Sequence, residues 1–248
     1  MPKLQRYVQK IRRYKNKLKR LISRIGISYS EEFELIDEIP VKLLFPCHLG
    51  ILFYGASIDT LFEKIKVHLN QTFDSFFFDI RNLGEFNFTN ELFSKGVKKE
   101  YKDMKKSSDV IKMHPTNKFY QILINKRNEE NLGMIISLTD LPIYSSSDDN
   151  ILFLFGETHL KHRCSVVSTL KLKEYFPERR RINDQFEERV FKEIIHEVGH
   201  MIIGSDHCQE SGCVMRFSND VHNIDNKSLD LCEKCKTKLL KIRNNHNF

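Results

Sequence analysis

The stretch Ile194-Ile195-His196-Glu197-Val198-Gly199-His200-Met201-Ile202-Ile203-Gly204 decides how this chain is read. Apolar residues recur through it at helical spacing, so Phe186, Val190, Phe191, Ile194, Ile195, Val198 and Met201 form the buried side of a long helix. Asp184, with Glu187 three residues later, is the expected capping box at its start. Two histidines four positions apart on a helix are turned only about 40° from each other, so His196 and His200 leave one face toward a common ion. Glu197 flanks that ion, where it can take a proton from a metal-bound water. The HExxH match is short, and by itself it suits two helix-surface histidines with no metal equally well.

The residues past this helix strengthen the metal reading. Beyond Gly204 come Asp206, His207, Cys208, Cys213, Met215 and a closing Cys232-Glu233-Lys234-Cys235. These ligand types sort into two sites. A catalytic zinc takes three nitrogen or oxygen ligands and leaves its fourth position to water; His196, His200 and one residue just past the helix would supply it. A structural zinc is closed by four protein ligands, and Cys208, Cys213, Cys232 and Cys235 form the CxxxxC and CxxC hooks that suit it. Two zinc ions per chain are therefore expected. His207 and Cys208 are neighbours, so the structural ion would fix the backbone that presents the third catalytic ligand. Disulfides among the four cysteines would require secretion, and no signal peptide is visible. A nucleic-acid-binding zinc ribbon requires two CxxC hooks, and the first hook here is CxxxxC.

The order HExxH, Gly-x-x-His-Cys, four residues to the next Cys, Cys-x-Met and a closing CxxC resembles the archaemetzincin family of zinc metallopeptidases. A weaker likeness runs upstream from about Pro40 and includes Leu152-Phe-Leu-Phe-Gly156 and Ser165-Val-Val-Ser168. The resemblance implies a zincin or metzincin-like layout in residues 41–248, with an upper subdomain (41–204) ending at the long helix. A lower subdomain (205–248) would be held by the structural zinc, with a peptide or protein substrate in the cleft between them. It also implies that Met215 is the Met-turn residue, an apolar floor under the catalytic metal. The chain departs from the family by one extra residue between His200 and Gly204, so the family's glycine falls at Ile203 and its third histidine at Asp206. Either the helix runs one residue longer or bulges, and His207 reaches the metal, or the backbone keeps the family path and Asp206 supplies a carboxylate. The intact Gly-x-x-His-Cys around His207 favours the former. The Met215-to-Cys232 spacing is one residue shorter than the family's.

With 248 residues, 40% hydrophobic content and nineteen Phe, the chain can bury a sizeable core. No apolar run approaches the roughly 20 residues needed to span a bilayer. The formal charge of +7 is local: residues 1–24 carry ten Lys or Arg and no acid, leaving 30 basic against 33 acidic residues elsewhere. Residues 1–27 read as a basic amphipathic helix whose plainest role is to lay its apolar stripe on the globule. An anionic surface is an alternative partner, and a mitochondrial presequence a third, though the segment is poor in Ser. No motif for reading nucleic acid supports a dedicated role there. Absence of a secretory signal leads to the expectation of an intracellular protein, cytoplasmic or nuclear, with Cys47 and Cys164 as small buried apolar residues.

Residues 28–40 form an acidic connector. Strands are expected at Val41–Phe45, Phe73–Ile80, Gly133–Thr139, Ile151–Phe155 and Ser165–Leu170, and helices after Ser57 (Leu61, Ile65, Leu69) and over Phe119–Lys126. Lys95–Lys118 reads as an exposed insertion and Ser145–Asn150 as a polar loop. Strands alternating with helices, then a Cys-held tail, predict an α/β architecture with an α+β mixed sheet. The strand near Ser165–Ser168 is expected at the sheet edge, open to an added substrate strand. The leading functional expectation is a zinc-dependent peptidase with Glu197 as general base. The alternative, motivated by the extra residue before Gly204, is a zinc-stabilised scaffold or interaction module derived from a peptidase.

Overall fold

The computed structural model describes residues 44–54, 61–86, 100–102, 110–112, 114–146, 153–173 and 182–248. In chain order the elements are β1 (Cys47–Tyr54), α1 (Phe62–Thr72), β2 (Phe77–Glu85), β3 (Glu100–Lys102), β4 (Val110–Lys112), β5 (His114–Pro115), α2 (Thr116–Glu129) and β6 (Met134–Thr139). Next are β7 (Ile143–Tyr144), β8 (Gly156–His159), β9 (Cys164–Ser168), a 3-10 turn at Lys171–Lys173, α3 (Ile182–Ile203), α4 (Val221–Asp225) and α5 (Glu233–His246).

Five strands form one sheet in the order β2-β1-β6-β9-β8. β1 pairs in parallel with β2 and β6, and β6 with β9. β8 runs antiparallel to β9 at the outer edge. Parallel strands buried on both faces read as continuous apolar runs, and Met134–Thr139 and Cys164–Ser168 are buried at every position. Alternation sends Leu49, Ile51, Phe53, Met134, Ile136, Leu138 and Val167 into one core cluster with the buried sides of α1 and α3. Leu52, Ile135 and Val166 face the other way, against Phe119, Leu123 and Ile124 of α2. The larger cluster continues beyond Gly204, through Val214, Met215, Ile224 and Leu239, so the Cys-bearing tail shares the core of the helix before it.

Several sequence boundaries shift. Of the strand expected at Val41–Phe45, Leu44 and Phe45 are not in a strand and residues 41–43 lie outside the described set; the strand Cys47–Tyr54 falls where none is expected. Gly50 disguises that strand, yet a Cβ there would stand 2.5 Å from Leu132 Cδ1, so close packing demands the glycine. The Phe-rich segment sends Phe73 and Phe76 into the core, and its strand runs Phe77–Glu85. The supposed exposed insertion contains the β3–β4 hairpin, and its end opens α2 with the fully buried Thr116. In the supposed polar loop Ser145 is buried. Of the strand expected at Ile151–Phe155, residues 151–152 lie outside the described set and Leu154 makes only an isolated bridge; the strand here is Gly156–His159, whose polar residues find buried partners. Asp184 sits within α3 instead of capping it. Ser165–Ser168 is not an edge: β9 is flanked by β6 and β8, and β8 is the outer strand. The basic N-terminal segment, the acidic connector and Ser57 lie outside the described residues. Among those described, no helix is long and apolar enough to cross a membrane.

Leu138 is fully buried between the sheet and its helices. Leu138→Ala is expected to lower unfolding free energy by about 2–5 kcal/mol through lost burial and a residual cavity. Urea denaturation in zinc-containing buffer measures it; a loss within error of zero would contradict this packing.

Candidate metal centre

α3 carries His196 and His200 on one face with their Nε2 atoms 3.0 Å apart. His207, past the helix, brings its ring to 5.2 Å from that of His196 and 4.8 Å from that of His200, centroid to centroid. One ring nitrogen from each of the three lies within 4.8 Å of the others. Tetrahedral zinc bound through nitrogen implies separations of about 3.3 Å, which the His196–His200 pair at 3.0 Å nearly matches. His196 Nδ1 lies 2.8 Å from Val214 O and His200 Nδ1 lies 2.8 Å from Gly204 O. A carbonyl only accepts, so each Nδ1 carries the proton and each Nε2 keeps its lone pair. Burial keeps all three rings neutral: His196 falls well below the ordinary range, His200 to about 4 and His207 to about 3. Neutral, oriented imidazoles are what a zinc site requires.

The extra residue before Gly204 is taken up as helix. α3 continues unbroken to Ile203, Gly204 N donates to His200 O at 3.0 Å, and Gly204 turns the chain at φ +113°. His207 then faces the pair, its ring edge-on to Phe217 at 5.0 Å, while Asp206 is exposed and outside the cluster. Met215 is buried against the same helix: a Cβ on Gly199 would stand 2.3 Å from Met215 Sδ. The glycine inside HExxH thus lets the methionine pack directly beneath the histidines.

Glu197 is buried beside the rings, and its carboxylate lies over β8. A Cβ on Gly156 would come within 2.6 Å of Glu197 Oε1, and the Thr158 hydroxyl donates to Oε2 at 2.6 Å. Ser165 Oγ lies 2.7 Å from Thr158 Oγ1 and completes the chain of hydroxyls. Burial pushes the Glu197 carboxyl up to about 8, the Thr158 hydrogen bond opposes it, and nearby Glu193 and Glu157 add to the rise. Behind the strand, Glu157 Oε1 accepts from Thr116 Oγ1 and Tyr120 OH, each at 2.7 Å.

Cys208, Cys213, Cys232 and Cys235 form the second cluster, all four sulfurs within 4.8 Å of one another. Cys208 Sγ is 3.5 Å from Cys232 Sγ, and Cys213 Sγ is 3.8 Å from Cys235 Sγ. Those separations are far beyond a disulfide bond of about 2.05 Å and near the roughly 3.8 Å edge of a zinc tetrathiolate. Burial raises the Cys232 thiol, but hydrogen bonds from the Cys235 N–H and the neighbouring thiols outweigh it and bring it down to about 7. Cys208 N donates to Met215 O at 2.9 Å, which ties this cluster to the floor of the histidine cluster. Cys47 and Cys164 are buried and apart from both. Thr158, Phe217 and the carbonyls of Val214 and Gly204 carry no sequence signal of their own. Gly199 stood within HExxH and Gly156 within the upstream likeness, but neither showed what it would touch.

Comparison with known proteins gives the chain's family and fold. The archaemetzincin of Methanocaldococcus jannaschii is 36% identical over 106 residues, covering 43% of this chain and 57% of that protein. The archaemetzincin of Archaeoglobus fulgidus is 40% identical over 108 residues, 44% of this chain and 61% of that one. The matches thus span less than two thirds of these relatives' length. The crystal structure of the Methanopyrus kandleri archaemetzincin superposes with a TM-score of 0.60 at 21% identity, covering 79% of this chain and 95% of the other. That of the Archaeoglobus fulgidus protein, complexed with malonate, gives 0.52 at 23% identity, covering 77% and 99%. These structures share the fold. The model of peptidase family M54 matches residues 58–241, most of the chain, and the chain belongs to that family.

Proposed function

We propose that this chain is a zinc-dependent peptidase, with one zinc held by His196, His200 and His207 and a second, structural zinc held by Cys208, Cys213, Cys232 and Cys235. The observation that carries the reading is a trio of neutral imidazoles, the tautomers of His196 and His200 fixed by carbonyls, beside a buried carboxyl. When bound, zinc polarises the scissile carbonyl and lowers the pKa of its water toward neutrality. Glu197 accepts the proton of the attacking water and returns it to the leaving amine. A carboxylate at this place can make both transfers, accepting the proton and then releasing it. Thr158 and the bare Cα of Gly156 hold its two oxygens in place. β8 is the outer strand, so a peptide backbone would add along it rather than along β9. The extra residue that suggested a non-catalytic scaffold is absorbed by α3 without disturbing the cluster, so that alternative is not favoured. The reduced thiol cluster is suited to a reducing, intracellular compartment.

Glu197→Gln is expected to slow cleavage of a fluorescence-quenched peptide library by about 10²–10⁴-fold at unchanged zinc content. Equal rates in the two proteins would sink the assignment. Gly156→Ala forces the Glu197 carboxyl aside and is expected to lower kcat by about 100-fold with zinc retained; a wild-type kcat would show that the contact does not position the base. Metal analysis of dialysed protein is expected to find about two zinc ions per chain, falling to about one in His196→Ala. A single ion that survives His196→Ala would leave only the thiolate site standing.

A further inference from the structure

Lys227, just past α4, is buried, its side chain 1% exposed. Its ammonium finds three acceptors: Arg216 O at 3.0 Å, Val214 O at 3.3 Å and Glu193 Oε1 at 3.4 Å. Glu193 is itself 5% exposed and lies on α3, one turn before His196. The two carbonyls bracket Met215. Val214 O is also the acceptor for His196 Nδ1 at 2.8 Å, so a single oxygen is held by the ammonium and by the imidazole assigned to the catalytic metal. A buried ion pair is a poor way to gain stability, because desolvation consumes most of the attraction. Its use here lies in direction: three N–H donors aim three acceptors at one point.

We propose that Lys227 is a positioning residue of the histidine metal centre, acting through the Val214 carbonyl on the tautomer and orientation of His196. The ammonium fixes the carbonyl, the carbonyl holds the proton on Nδ1, and Nε2 stays open toward the metal. The same grip on Arg216 O sets Met215 beneath Gly199. Groups of this kind, which orient a ligand without touching the metal, typically contribute about 10–100-fold to metal affinity. The inference rests on the proposed zinc site.

The test removes both charges together, Lys227→Met with Glu193→Gln, so that no buried ion is left unpaired. Zinc affinity at the histidines is read by chelator competition on full-length protein with the thiolate site loaded. The His196 tautomer is read from ring ¹⁵N–¹H correlations. Leu138→Ala serves as a destabilised variant that removes none of these hydrogen bonds. The expected result is a loss of affinity of about 10–100-fold in the double variant and a mixed His196 tautomer, with about one zinc per chain retained. Leu138→Ala, though less stable, keeps wild-type affinity and tautomer. Unchanged affinity and tautomer in the double variant, or the same losses in Leu138→Ala, overturn the role given to Lys227. A wild type that binds zinc only through its thiols instead overturns the metal reading, and this inference with it.

Discussion

Two hydrogen bonds, from the Nδ1 of His196 to Val214 O and from the Nδ1 of His200 to Gly204 O, are what the site depends on. Two histidines on adjacent turns of a helix share a face by geometry alone, but rings are free to rotate and to change tautomer. The carbonyls remove both freedoms. Both belong to the chain after the helix: one to the residue that ends it, the other to the turn that Cys213 and Met215 build. The histidine cluster is thereby coupled to the folding of the tail, in which the four cysteine side chains converge.

The same logic explains why the centre is buried. Burial keeps the three imidazoles neutral and lifts the Glu197 carboxyl to about 8, one environment acting with opposite effects on bases and acids. Polar groups that tie α3 to its surroundings are bonded in turn. Thr158 is bonded to Glu197, Lys227 to three acceptors, and Arg189 to both oxygens of Asp225 and to Leu172 O. Through these bonds α3 is tied to β8, to the α4 segment and to the 3-10 turn, so the helix is fixed in rotation as well as position.

How much was legible in the sequence depends on how local each signal is. The α3 helix showed because its apolar residues repeat at a helical period over many turns. The Cys hooks showed because zinc ligands come in short spaced pairs. Strand limits were missed where tertiary contact overrides pattern: Gly50 sits mid-strand because Leu132 and Leu83 crowd it, and the polar run Glu157-Thr158-His159 is buried because its side chains meet partners on two helices. The expected edge at Ser165–Ser168 failed for a related reason. A fully buried strand and an outer strand look alike until the pairing is known.

By itself the sequence determined the ligand types, their pairing into two clusters, and the helix that carries His196, Glu197 and His200. All of these rest on spacing within a few residues and on side-chain chemistry that context does not alter. Tertiary structure alone brought His207, rather than Asp206, beside His196 and His200, because that depends on where the helix ends and how Gly204 turns the chain. It alone brought Gly156, Thr158 and Lys227 to the centre. Those residues lie 30 to 41 positions from Glu197 or His196, and no periodicity reports a contact made through the fold.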